Sequence, residues 1–191
     1  QLTEIGEKIV NQAKNIVNEA GRITDIVEQQ KGYIGGEFRV GIIPTVTPTL
    51  LPMFLNTFIK KYPKVQLVIE EQTTEEIIKR LKNGQLDCAI AATPLEEENL
   101  KEIVLYYEPF VAYIPDNFAI TDKTEIEIAD LDIENILLLQ DGHCFRDGII
   151  NLCKNAKNLN DKHFQIESGS FETLIKLADE GLGTTLLPYL H

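Results

Sequence analysis

The sequence predicts an α/β protein of two lobes preceded by one long helix, and three observations predict it. Residues 2 to 30 carry Leu2, Ile9, Ile16 and Ile23 at a seven-residue repeat, with Ala13, Ala20 and Val27 filling a second seam on the same face. From Phe38 onward, short apolar runs alternate with amphipathic stretches in the order strand, helix, strand, helix, strand. That order implies right-handed crossovers and a mostly parallel sheet. A second series of the same kind begins near Val104.

The first helix contains Gly6 and Gly21. Each costs about 1 kcal/mol relative to Ala, so the helix depends on a partner surface. That surface is either its own domain or a second copy of the chain. A repeat of four heptads that stops at the glycine-rich hinge KGYIGG, within residues 31–37, favours a dimerising linker.

The first lobe is expected over 38–107. FRVGII (38–43) reads as a buried strand, Leu50 to Tyr62 as a helix with Pro52 in its first turn, and VQLVIE (65–70) as a second strand. Thr73 and Glu76 have capping-box spacing, opening a helix that Gly84 closes before the strand DCAIAA (87–92). The second lobe is expected over 108–191. VLYYEPFVAYI (104–114) reads as a strand crossing between lobes, since Pro109 is unsuited to mid-sheet. LLL (137–139), a helix from about Asp147 to Asn155, FQIE (164–167), a helix from Phe171 to Glu180 and TTLLP (184–188) complete the set. Two such lobes bind ligands at strand ends and helix N-termini.

Composition narrows the function. Eighteen Lys and Arg against thirty Asp and Glu give a net charge of −12, the wrong sign for gripping a polyanion, so these residues are not expected to touch DNA themselves. No apolar run approaches the ~18 residues a membrane span needs, and QLTEIGEKIV lacks a secretory pattern, so the chain reads as cytoplasmic, with no membrane partner. Three cysteines, Cys88, Cys144 and Cys153, are too few for a disulfide framework. Cys88, inside an apolar run, reads as a buried strand residue.

The most informative stretch is LLLQDGHCFRDGIINLC, residues 137–153. It runs from a buried strand through an Asp141-Gly142 turn into the first turn of a helix. Cys144 therefore sits near a helix N-terminus, flanked by His143 and Arg146, and each feature lowers a thiol pKa; Asp147 opposes them. A thiolate attacks the O–O bond of a peroxide to give a sulfenic acid, which a second thiol condenses with. Cys153 stands nine residues on. In a continuous helix that is a rise of about 13.5 Å, against the Cα separation of about 4.4–6.8 Å a disulfide needs. Closing the bond would require the helix to unwind. On spacing alone, two cysteines nine residues apart are more often unconnected than a redox pair. A zinc site from His143, Cys144, Cys153 and His163 matches no finger or ribbon spacing, so no metal and no cofactor is expected.

DGHCFRD with a cysteine nine residues after Cys144 resembles the OxyR peroxide sensors of the LysR-type regulator family. GIIPTVTPTLLP (41–52), the Thr73-Thr74 helix start, LDCAI (86–90), SFETL (170–174) and GLGTTLLP (181–188) follow in the family's order. The resemblance implies two Rossmann-like lobes of periplasmic-binding-protein type II architecture. It implies that residues 1–30 are the linker helix, that a DNA-reading winged helix-turn-helix lies upstream, and that the full-length protein forms dimers and tetramers. Hydrogen peroxide is the implied ligand. Cys144 matches the peroxide-reactive cysteine and Cys153 its resolving partner, while Thr45, Thr74, His143, Arg146 and Asp147 match pocket residues. A hydroxyl at Thr45 or Thr74 can hold a small polar ligand, or can simply cap a helix. The family's chain continues past Leu190, returning to the first lobe with a further basic pocket residue. Phe145 also departs, standing where an aliphatic residue is expected.

The implied function is a redox switch controlling oxidative-stress genes. Two alternatives stay open: a LysR-type domain binding a small organic effector, with incidental cysteines, and a thiol peroxidase. The last lacks any CxxC or thioredoxin-like start.

Overall fold

The computed structural model describes residues 2–30, 34–116, 125–127, 136–142, 144–152 and 168–190. The chain divides into two compact units, one of Gln1–Ile43 and Leu50–Glu102, the other of Pro44–Thr49 and Ile103–His191.

The first unit opens with α1 (Glu4–Gln30), whose first turn is closed by Gly6 N–H donating to Thr3 Oγ1 at 3.1 Å. Ile5, Ile9, Ile16, Val17 and Ile23 on this helix are all exposed. β1 (Gly36–Ile42) begins two residues before the expected strand, and α2 (Thr47–Lys61) begins three before the expected helix. Pro52 therefore lies in the second turn of α2, where its missing N–H leaves the Pro48 carbonyl without its helical donor. β2 (Val65–Glu71), α3 (Thr74–Lys82) and β3 (Cys88–Ile90) complete the unit. The three strands lie in the order β2-β1-β3, all parallel, with Val40 opposite both Ile69 and Cys88. Asp87, just before β3, is tied to β1 through both backbone groups of Arg39: Arg39 N–H donates to its carboxylate and its own N–H to the Arg39 carbonyl.

The core of this unit is Val40, Ile42, Ile43, Ile77 and Leu86. Ile77 is brought down onto the sheet by Gly41, where a Cβ would stand 2.8 Å from Leu86 Cδ1 and 3.2 Å from Ile77 Cγ1. The α3 entry follows the capping signal, with Glu76 N–H donating to Thr73 Oγ1 at 3.4 Å. Gly84 ends it with φ 63°, a conformation that suits glycine.

The second unit contains β4 (Phe110–Tyr113), α4 (Cys144–Leu152), α5 (Phe171–Asp179) and β5 (Thr185–Pro188). β4 and β5 pair antiparallel. The LLL segment is not a full strand: Ile136 makes one parallel bridge to Thr184, and Leu137 N–H donates to the Thr184 carbonyl at 2.7 Å. Its core joins Ile136, Leu137, Leu139, Phe145, Ile149, Phe171, Leu174, Ala178, Leu186 and Leu187.

Two expectations change here. Residues 104–109 are not strand; β4 starts at Phe110, and Ile103, Val104, Leu105 and Tyr107 are exposed. Strand propensity is realised only where a neighbouring strand takes the N–H and C=O groups, and the described backbone ties to this stretch begin only at its end, where Tyr189 N–H donates to the Pro109 carbonyl. The cysteine helix starts at Cys144, three residues earlier than expected. The FQIE expectation (164–167) falls outside the described residues.

Candidate redox site

Cys144 is the first residue of α4, directly after a tight turn in which Gly142 has φ 88°. An aspartate-glycine turn permits this left-handed step, and the first helical turn leaves N–H groups without helical partners. A group at that position feels the positive end of the helix dipole, which favours an anion such as a thiolate. The side chains of Cys144 and Asp147 lie outside the described residues, as do His143, His163 and Cys153 entirely.

Arg146 faces back along the chain. Its Nε pairs with Asp141 Oδ1 at 2.7 Å and its Nη1 donates to the Leu139 carbonyl at 3.1 Å. The Arg146 side chain is only 23% exposed while that of Asp141 is almost fully exposed. The pair therefore adds little stability by itself, but it holds the approach to Cys144 against the start of α4. Phe145 turns inward, its ring edge-on to Phe110 at 4.8 Å and to Phe171 at 4.9 Å.

Thr45 is 5% exposed, and its Oγ1 has no hydrogen-bond partner among the described residues. Thr74 Oγ1 is in the same condition. Neither is the helix cap that sequence left open: α2 starts at Thr47, two residues beyond Thr45, and Thr73 caps α3. A buried hydroxyl left unpaired costs about 1–3 kcal/mol, so such groups ordinarily meet a ligand or an ordered water. The structure places Thr74 in the first unit and Thr45 with Cys144 in the second.

Cys88 sits in β3, half-buried, and burial together with the Asp87 charge pushes its thiol pKa up. It is protonated at neutral pH and a poor nucleophile. Among the described residues, no three His, Cys, Asp or Glu side chains converge to hold a metal ion, and no helix is long and apolar enough to cross a membrane.

Three polar groups escaped the sequence reading. Glu70 and Arg80 form a two-pronged ion pair, and Gln72 hydrogen-bonds to the same carboxylate. Arg80 is ten residues from Glu70, and only the packing of α3 on the sheet brings them together.

The LysR substrate binding domain family matches residues 31–191. The DNA-binding transcriptional dual regulator OxyR of Escherichia coli K12 is 34% identical over 189 residues, covering 99% of this chain and 61% of the relative. A hydrogen-peroxide-bound mutant OxyR from Corynebacterium glutamicum superimposes with a TM-score of 0.77 at 31% identity, covering 97% of this chain and 58% of the other. The reduced OxyR regulatory domain from Pseudomonas aeruginosa is 33% identical with a TM-score of 0.69, covering 82% of this chain and 74% of that domain. The chain thus spans about 61% of the length of the curated OxyR relative from Escherichia coli. With an α/β fold, a cysteine at a helix start and this match over most of its length, the chain belongs to the LysR substrate-binding domain family and resembles the regulatory domains of OxyR proteins in sequence and fold.

Proposed function

We propose that this chain is the peroxide-sensing regulatory part of a cytoplasmic LysR-type transcription factor, a switch and not an enzyme. The Cys144 thiolate attacks one oxygen of hydrogen peroxide, the O–O bond breaks, and the departing hydroxide takes a proton to leave as water. The sulfenic acid so formed is attacked by the Cys153 thiol, which forms the S–S bond and releases a second water. Thr45, Thr74, His143, Arg146 and Asp147 are the residues proposed to bind the peroxide or support the thiolate. The observation that carries the reading is Cys144 at the first position of α4, behind a glycine turn, in a chain 34% identical to an OxyR.

The exposed apolar seam of α1 supports a homodimer in which two such helices pack together. DNA contact belongs to a winged helix-turn-helix upstream in the longer protein, in keeping with a net charge of −12 here.

Mass spectrometry before and after one equivalent of hydrogen peroxide tests the reading. Loss of two hydrogens, mapped to Cys144 and Cys153, is expected. Cys153→Ser should retain reaction at Cys144 but accumulate sulfenic or over-oxidised product. A bond involving Cys88, or a thiol count unchanged by peroxide, would overturn it.

A further inference from the structure

Glu70 is the last residue but one of the edge strand β2 and Gln72 follows the strand's end, and a hydrogen bond joins their side chains. Arg80 of α3 grips Glu70 through two bonds, Nη1 to Oε2 at 2.7 Å and Nη2 to Oε1 at 2.9 Å. Gln72 Nε2 donates a third bond to Glu70 Oε2 at 3.2 Å. This sets the amide's orientation, because turning it over would oppose its oxygen to a carboxylate oxygen. The Gln72 Oε1 atom therefore points away from Glu70. It is shielded from solvent and has no hydrogen-bond partner among the described residues.

Thr74 Oγ1, two residues on, is equally shielded and equally unpaired. Across two peptide units the Cα atoms are at most about 7 Å apart, so both oxygens belong to the junction where β2 gives way to α3. Folded proteins rarely leave one such atom without a partner. Two at one junction, one of them aimed by a charged clamp, mark a place for a small polar molecule.

We propose that Gln72 Oε1 and Thr74 Oγ1 form a hydrogen-bonding subsite for one small molecule bearing O–H groups, with the Glu70–Arg80 pair holding the Gln72 amide in place. Gln72 can only accept at that atom, whereas Thr74 can donate or accept. Hydrogen peroxide has two O–H donors and two acceptor oxygens, which matches both. The identity of the ligand rests on the functional reading above; the subsite itself rests on the two unpaired oxygens.

The test uses the Cys144→Ser chain, so that added peroxide is not consumed, with labelled glutamine side-chain amides and threonine methyls followed by NMR. Titration with hydrogen peroxide should shift the Gln72 amide and the Thr74 methyl along one saturable isotherm. Gln72→Leu should weaken that binding about tenfold as read at Thr74. Should Gln72→Leu fail to fold, Thr74→Val read at the Gln72 amide gives the reciprocal measurement. Linear shifts without saturation, as for water exchange only, would overturn the subsite, as would unaltered affinity in the variants. Oxidation of Cys144 in the unsubstituted chain is measured in parallel. Normal oxidation with a silent Gln72 sinks the subsite alone, an inert Cys144 with responsive Gln72 and Thr74 sinks the sensor reading alone, and silence in both sinks both.

Discussion

Phe145 stands edge-on to Phe171, their ring centroids 4.9 Å apart and their planes at 81°. The residue directly after Cys144 is thereby anchored in the core of the second unit, and Phe110 closes on its other side. Edge-to-face aromatic pairs add about 0.5–1.5 kcal/mol beyond burial. Phe145→Ala should therefore cost about 3–5 kcal/mol in denaturant unfolding. Phe145→Leu, which restores the aliphatic residue expected from the family, should cost clearly less. A Phe145→Leu chain as stable as the unsubstituted one would mean that the aromatic stack contributes nothing of its own.

The same anchoring sets a cost on switching. A Cys144–Cys153 bond requires α4 to unwind, and Phe145 and Ile149 on that helix are both buried. Exposing them fully costs about 1.5–3 kcal/mol each, comparable with the few kcal/mol a short-loop disulfide contributes in the chain-entropy account. Amide hydrogen exchange across residues 145–152 should speed up in the oxidised chain and slow again on reduction. A pattern indifferent to oxidation would show that no such rearrangement accompanies the bond.

Glu70 predicts an acid-side effect. Hydrogen bonds from the Arg80 guanidinium hold its carboxyl below the ordinary value of 4.5. A group whose folded pKa is depressed contributes stability that is full above its unfolded pKa and is lost as pH falls through the folded one. Glu70→Gln should lower stability near neutral pH by about 1–3 kcal/mol. The difference from the unsubstituted chain should shrink as pH drops below about 4.5. Thermal unfolding across that range checks the sign, and a gap that widens in acid would contradict it.

Cys88 and Cys144 should differ in reactivity. With its thiol pKa raised by burial, Cys88 should alkylate with iodoacetamide much more slowly than Cys144 at neutral pH, by tenfold or more. Peptide-resolved alkylation rates decide this, and comparable rates would remove the case for an activated thiol at the start of α4.

Much of this was written locally in the chain. The alternation of β1, β2 and β3 with α2 and α3, the cap at Thr73, the stop at Gly84 and the placing of Cys144 at a helix start all follow from periodicity and turn chemistry. These signals act over a few residues, so the sequence by itself determines them. The resemblance named His143, Cys144, Arg146 and Asp147 through DGHCFRD, Cys153 by its place nine residues on, and Thr45 and Thr74 through GIIPTVTPTLLP and the Thr73-Thr74 helix start, because each of these motifs is local in the chain. Tertiary structure decided what depends on distant partners. It sent Phe145 between Phe110 and Phe171, turned Arg146 toward Asp141 and the Leu139 carbonyl, and paired Thr185 Oγ1 with the Leu137 carbonyl 48 residues away. It also withheld strand structure from residues 104–109, whose propensity meets no ladder among the described residues. Gln72 shows the division most clearly. Nothing beside it in the sequence marks it, and its role arises only when α3 packs on the sheet and brings Arg80 onto Glu70, leaving one amide oxygen buried and without a partner among the described residues.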